Sequence, residues 1–270
     1  MLIYHYTDEQ GLTGIIQNKS IWATDIRFLN DSMEFHSGIE SLTKICNDMI
    51  KICKEKDDEI YKNAVDFYKV INTFIRNNLE NRNIYITSFT KSEDNLRQWM
   101  SYCPKNSGYA IAINKEKILE IKDKVQCKNI VFRLEDVDYR KESIYKMLSL
   151  DSLIKEITKN FNNTNKLASR LINNLLFHCC AIKNEEFHDE NEERLVIQST
   201  TEKKQKVKFR SRSGVIIPYF EYPIELDYIE KVIIGPTTNM KLARLGLEEF
   251  LEKNSINCLI EESKCSLRLL

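Results

Sequence analysis

Three charged residues at alternate positions, Glu190, Glu192 and Arg194, are the part of this sequence best equipped for chemistry. On an extended strand they share one face, with Glu193 turned away and Leu195 and Val196 continuing inward. Two carboxylates side by side repel each other, which raises the pKa of one, while the neighbouring guanidinium holds the other ionised. Paired carboxylates come to take different roles in this way. The same residues would also serve as an ordinary acidic surface loop. A second set lies earlier in the chain. Ser88 and Thr90 alternate on a strand over 83–90, and Gln98, Trp99 and Tyr102 recur about one helical turn apart, offering hydroxyl donors and an aromatic platform for a flat ring. The third candidate is His5 in the stretch IYHYT. Strand alternation sends His5 to one face and Tyr4 and Tyr6 to the other, where the competing reading is a core histidine bonded to a backbone carbonyl.

Two further stretches are dense in polar groups. IWATDIRFLNDSMEF packs Trp22, Arg27, Asn30, Asp31 and Glu34 into a short span. Asp31 is expected to bond backbone amides in a turn there, with Arg27 or Asn30 facing the cleft. In KKQKVKFRSRSG, Lys204, Lys206, Lys208, Arg210 and Arg212 fall at every second position, so an extended strand puts all five on one face. That pattern suits either a charged edge strand that resists pairing or a groove that grips phosphates.

The elements that must position these residues follow from periodicity. Asp8 caps a helix over 9–19 whose apolar side is Leu12, Ile15 and Ile16. A helical pattern runs over 39–81 and breaks near Lys54 to Glu59. Strands are expected at 83–90 and 108–114 with a short helix between them, then a strand within 127–139, one or two helices over 147–182, and strands at 194–198, at KVIIGP and at 256–260. A last helix spans 240–252. No linker or internal repeat appears, so the expectation is one α+β domain over 1–270 with a mainly antiparallel core and helical insertions at about 39–82 and 147–182.

Composition bounds the function. A hydrophobic content of 42% supports a real core, and 40 basic residues against 40 acidic ones leave no net field to draw the chain to nucleic acid or membrane. Eight cysteines without a C-x-x-C pair, and an N-terminus without the apolar core of a signal peptide, point to reduced thiols in a cytoplasm. No apolar run reaches membrane-spanning length. The seven glycines form neither G-x-G-x-x-G nor a P-loop, and no H-E-x-x-H occurs. Rossmann or P-loop nucleotide sites and a resident metal are therefore not expected.

The order of the pieces adds a resemblance. Nearly the whole chain resembles an uncharacterised family of bacterial domains of unknown function through YHYT, the Trp22–Glu34 run, the TSFT strand, the Gln98-Trp99 pair, ExExRLV over 190–196, and Arg212 to Tyr219. More remotely, the Y-H-x-T strand, the Y-x-x-S-F-T strand and a late-strand glutamate resemble the ADP-ribosyltransferase fold, in its histidine, tyrosine, glutamate branch, with a split β core. The resemblance implies NAD as substrate, with His5 on the adenosine-side ribose, Tyr102 or Trp99 stacked on nicotinamide, and Glu192 bonded to the 2′-hydroxyl of the nicotinamide ribose. Glu190 would deprotonate the acceptor, and Arg210, Arg212 or Arg27 would pair with the pyrophosphate. Tyr6 stands in the cofactor-binding set where that fold commonly has glycine, and Asn30, Ser88, Gln98 and Arg194 complete it. Such an enzyme transfers ADP-ribose to a macromolecule or hydrolyses NAD, as a toxin or phage-defence effector held by a neutralising partner or a sensor protein.

Two other readings stay open. A non-catalytic nucleotide or nucleic-acid binding module would use the basic strand and the aromatic residues, with binding that weakens steeply in salt. A nuclease-like hydrolase would bring His5, Asn30, Asp31, Glu34 and Glu192 together on a metal. The transferase reading makes a spatial demand: His5, Ser88, Trp99 or Tyr102, and Glu192 should line one cleft, and placement of His5 and Glu192 on opposite faces of the sheet, or more than about a dinucleotide's length apart, means that the reading is dropped.

Overall fold

The computed structural model describes residues 1–29, 32–78, 83–103, 107–120, 130–160, 163–199 and 207–265, with 32–34 and 77–78 described by backbone alone. Asn30, Asp31, Lys204 and Lys206, and the side chain of Glu34, lie outside it. Among the described residues ten strands form one sheet, flanked by helices on both faces. The expectation of a mainly antiparallel α+β architecture holds, with only β10 (Leu259–Glu262) parallel to its neighbour β9 (Ile229–Ile234).

The sheet begins as expected. β1 (Leu2–Thr7) leads into α1 (Glu9–Asn18), where the Asp8 carboxylate accepts from the Gly11 amide at 2.7 Å. β2 (Ser20–Asp25) follows, and is a strand that periodicity did not assign. The helical stretch divides at the predicted break into α2 (Ser32–Lys54) and α3 (Glu59–Asn78), and β3 (Asn83–Thr90) matches its predicted bounds. α4 (Leu96–Tyr102), β4 (Tyr109–Asn114), α5 (Lys115–Glu120) and β5 (Ile130–Asp136) come next. The second helical stretch starts earlier than its periodicity suggested and is made of α6 (Glu142–Leu148), α7 (Leu150–Lys159) and α8 (Thr164–Cys180). β6 (Glu192–Ser199), β7 (Val207–Arg212), β8 (Val215–Pro223), β9, α9 (Met240–Lys253) and β10 complete the chain.

Two faces of the sheet are covered differently. On one, Ile3, Tyr85, Phe89, Ile111, Leu195 and Ile197 pack with α1, α5 and α9 into a continuous apolar core. The other has two separate covers. α4 lies over Tyr4 and Tyr6, where Ala110 and Ala112 sit opposite the two tyrosines and leave room for Trp99. α8 lies over Ile84, Ile86 and Val196, and packs in turn against α2, α3, α6 and α7. Between these covers the strands present Ser88, Thr90, Glu192 and Arg194.

The sheet also forks. β1 and β2 both pair antiparallel with the same edge of β3, β1 at Tyr4↔Thr90 and β2 at Thr24↔Ile86 and Asp25↔Tyr85. Among the described residues, Thr87, Ser88 and Phe89 pair with neither on that edge, while their other edge runs against β6 throughout. β1 continues outward to β4, β9 and β10, and β2 to β8 and the edge strand β7.

Candidate functional site

The densest group of ionisable side chains lies under α4, on the polar stretch between the two covers. Lys183 Nζ is 2.9 Å from Glu190 Oε2 and 2.9 Å from Glu192 Oε2. Arg194 donates to both oxygens of Glu192, at 2.8 and 3.2 Å, and its third nitrogen donates to the Cys180 carbonyl at 2.9 Å. That carbonyl belongs to the last turn of α8, where the helix dipole is negative and favours a cation. Lys183, Glu190, Glu192 and Arg194 are each no more than 6% exposed. Burial opposes ionisation of Glu192, but the Arg194 guanidinium, by charge and hydrogen bond, and then Lys183 and the Ser88 hydroxyl outweigh it and hold the carboxyl down at about 2. The backbone amide of Glu192 donates to the Tyr139 hydroxyl at 2.9 Å. Tyr102, at 38% exposed, is the aromatic residue that reaches solvent here. Burial and then the Glu192 charge push its phenol up to about 12.

The geometry of the glutamate pair differs from the simple alternation. β6 begins at Glu192, whereas Glu190 ends a 3-10 turn over Glu185–Glu190, and Asn191 between them is left-handed with φ 45°. The two carboxylates converge because Lys183 bridges them, not because a strand aligns them. Lys183 was missed in the sequence. The available signal was one lysine at the end of the apolar run CCAIK, just before an acidic turn, where a buried cation is required if the carboxylates are buried.

His5 occupies the fork. Its Nδ1 lies 3.0 Å from the Ser88 carbonyl, so Nδ1 carries the proton and Nε2 is left as an acceptor. Burial and the charge of Arg210 lower its pKa, against the raising effect of the Ser88 bond, which keeps the ring neutral at pH 7. Register corrects the expectation of a shared cleft. Tyr4 faces Thr90 and Thr90 faces Glu192, so those three side chains share one face, and His5 lies on the other with Phe89, whose ring centroid is 5.7 Å away. The physical reason is the two-residue period of a strand: a histidine one residue beyond Tyr4 must point away from Glu192.

Several other candidates are built into packing. Trp99 is fully buried, its Nε1 donates to Asp94 at 2.6 Å, and Gly235 lies so close that an added Cβ would come within 2.7 Å of the ring. No face of it is left for nicotinamide. Tyr6 packs on Trp99 at 4.5 Å and its buried hydroxyl meets the Glu93 carbonyl at 2.9 Å and the Asn95 amide at 3.0 Å, fixing the approach to α4. Gln98 is buried in α4. Arg27 is bound in two places by Asp25, at 2.9 and 2.7 Å. Thr90 donates to the Glu190 carbonyl at 2.6 Å. Asn30 and Asp31, on which the hydrolase reading depends, lie outside the described residues, as does the side chain of Glu34.

Arg210 and Arg212 lie on the edge strand β7. Thr24 faces both Ile86 and Tyr219, and Tyr219 faces Lys208, so Lys208, Arg210 and Arg212 share the face of Trp22, Ser88 and Glu192. Arg212 is exposed near the hairpin turn, and Lys208 pairs with Glu221 at 2.7 Å. Among the described residues no three His, Cys, Asp or Glu side chains gather to hold a metal ion, and no helix is long and apolar enough to cross a membrane.

Fold and site together define an α+β protein with a forked sheet and a buried acid–base cluster beside the fork. Residues 98–195 match the model of a family described as a protein of unknown function (DUF2971), which fits the resemblance to a family of that kind over this stretch. The matched stretch takes in Tyr102, Lys183, Glu190, Glu192 and Arg194, and leaves out His5, Trp22, Ser88 and Arg210. No curated protein and no solved structure matches the chain.

Proposed function

We propose that the fork is a nucleotide site and that the chain cleaves NAD at its N-glycosidic bond, passing ADP-ribose to a macromolecule or to water. The observation that carries this reading is Ser88. Its carbonyl meets His5 at 3.0 Å, and its side chain shares the face of Glu192 and helps to lower that carboxyl's pKa, so one residue stands between the histidine and glutamate of the suggested constellation. Opposite-face placement fails the spatial demand made of this reading, and on a continuous sheet it would end it. Here the sheet is interrupted at that residue, and a ligand entering between β1 and β2 would meet both sides.

The roles follow from the chemistry. The bond between the ribose anomeric carbon and the nicotinamide nitrogen breaks with its electron pair leaving on nicotinamide, and the acceptor oxygen adds to the sugar as its proton passes to a base. Positive charge develops on the sugar, and an ionised carboxylate fixed beside it stabilises the transition state. Glu192 supplies that charge, and a ribose hydroxyl would bind it on the side of Ser88. Tyr102 supplies the exposed ring, the free Nε2 of His5 accepts from a hydroxyl, and Glu190 is the base. A toxin or phage-defence role and a neutralising partner or sensor belong to this reading.

The test is nicotinamide release from labelled NAD, with and without cell extract. Glu192→Gln is expected to lower release by roughly 10²–10³-fold, whereas Glu190→Gln suppresses labelling of the acceptor and leaves slow hydrolysis. Equal loss in both variants would refute that division of labour. A second reading, nucleotide binding without turnover, is favoured by the closed set of charged partners around Glu192. Absence of release by wild type with and without extract, with nucleotide binding retained, would establish it instead.

A further inference from the structure

Among the described residues Arg210 is a cation without a paired carboxylate, although the carboxylates beside it, Asp25 and Glu221, are each held by another cation. Its guanidinium lies over the rings of Trp22 and Tyr219, 5.4 and 5.9 Å from their centroids, and those rings pack together at 4.5 Å. One nitrogen, Nη2, donates to the Thr24 hydroxyl at 2.9 Å, while Nε is buried with no hydrogen-bond partner. Among the described residues no carboxylate pairs with it. Asp25, next to Thr24, is held by Arg27, and Glu221, opposite Trp22, is held by Lys208. Burial and the nearby charge of Arg212 depress its pKa, as expected of a cation facing another cation.

We propose that Arg210 is the phosphate-binding group of a nucleoside-phosphate site on the β2–β8–β7 limb of the fork, with the half-buried Trp22 ring and the guanidinium plane as the surface for the base. The proposal rests on the reading above only in taking the fork as a ligand site. A planar guanidinium held by two rings and a threonine is preorganised to meet a phosphate, and the missing counter-charge is what the phosphate brings. Its place supports this assignment, because Arg210 shares the face of Ser88, the residue whose carbonyl meets His5 at the fork. The phosphate comes either from a free nucleotide or from a single strand of nucleic acid, since both present a phosphate beside a flat base.

The experiment compares adenosine, AMP and a short single-stranded oligoadenylate on the full chain, by calorimetry and by quenching of tryptophan fluorescence. Trp99 is buried, so Trp22 carries the ligand-sensitive signal and Trp22→Phe should remove it. AMP is expected to bind at least tenfold more tightly than adenosine, and Arg210→Gln to abolish the difference while the chain still unfolds cooperatively. Arg210→Lys, which keeps the charge without the planar fork, should retain part of the preference and serves if the glutamine variant does not fold. Tighter binding of the oligonucleotide than of AMP, lost in the same variant, identifies the strand as the source; equal or weaker binding identifies the free nucleotide. Equal affinity for adenosine and AMP, or AMP binding unaffected by Arg210→Gln, overturns the proposal. AMP carries no nicotinamide, so this outcome is independent of turnover. A phosphate preference without nicotinamide release keeps the site and removes the enzyme, and release without the preference does the reverse.

Discussion

Two cations lie on the same face of the sheet, Lys183 beneath α4 and Arg210 on the far limb of the fork, and their surroundings differ in kind. Lys183 is buried between two carboxylates at 2.9 Å each, with Arg194 completing the charge balance. Arg210 is half-buried against two aromatic rings with one hydroxyl partner and no carboxylate among the described residues. The first arrangement is closed: each ion is desolvated, and the partners offset that cost only while all are present. The second is open, since its charge has been taken partly out of water with no opposite charge supplied by the described residues. Closed clusters hold a structure in place, whereas open ones mark where a ligand completes the electrostatics.

The comparison breaks most readily at Lys183. Lys183→Met leaves two buried carboxylates facing each other and is expected to cost about 3–5 kcal/mol of stability, measured by urea unfolding. Adding Glu190→Gln should recover part of that loss, and a double variant no more stable than the single one would show that the bridge is not coupled. The next largest effect is in acid. The pKa of Glu192 is depressed from an ordinary 4.5 to about 2 in the folded chain, so its contribution is complete above pH 4.5 and is lost as pH falls toward 2. It is worth about 3 kcal/mol, and the slope of stability against pH in that window should flatten in Glu192→Gln.

Tyr6→Phe supplies a neutral comparison on the same face. Removing a buried hydroxyl that accepts from the Asn95 amide should cost about 1–3 kcal/mol, with little dependence on pH between 2 and 5, by thermal unfolding at several pH values. The smallest effect is expected at Arg210. Since the described residues give that charge no carboxylate to leave unpaired, Arg210→Gln should cost only its ring and Thr24 contacts, about 0.5–2 kcal/mol. A loss as large as that of Lys183→Met would place Arg210 among the closed clusters and end the contrast.

Much of the scaffold was legible because local pattern decides it. Alternation in NIYITSFT gave β3 its bounds, Asp8 marked the start of α1, and the break near 54–59 separated α2 from α3. β2 was obscured because SIWATD is buried on both faces and shows no alternation of polar and apolar residues. The candidate site was legible in part. Glu190, Glu192, Arg194, Tyr102 and Ser88 do come together, while Lys183 and Tyr139 joined them unannounced, and Trp99 and Tyr6 proved to be the packing beneath α4.

The sequence by itself determined which residues could alternate, cap or pair locally, since those preferences act within a turn or a strand. It placed His5 opposite its flanking tyrosines, and put Lys208, Arg210 and Arg212 on one side of their strand. Only the tertiary structure decided that His5 and Glu192 fall on opposite faces, that Lys183 bridges two carboxylates, and that Arg210 meets no carboxylate among the described residues. Those outcomes depend on the register between strands far apart in the chain and on which long side chains reach a common point. A shift of one residue in β1 against β3 would reverse the first of them with no change in any local pattern.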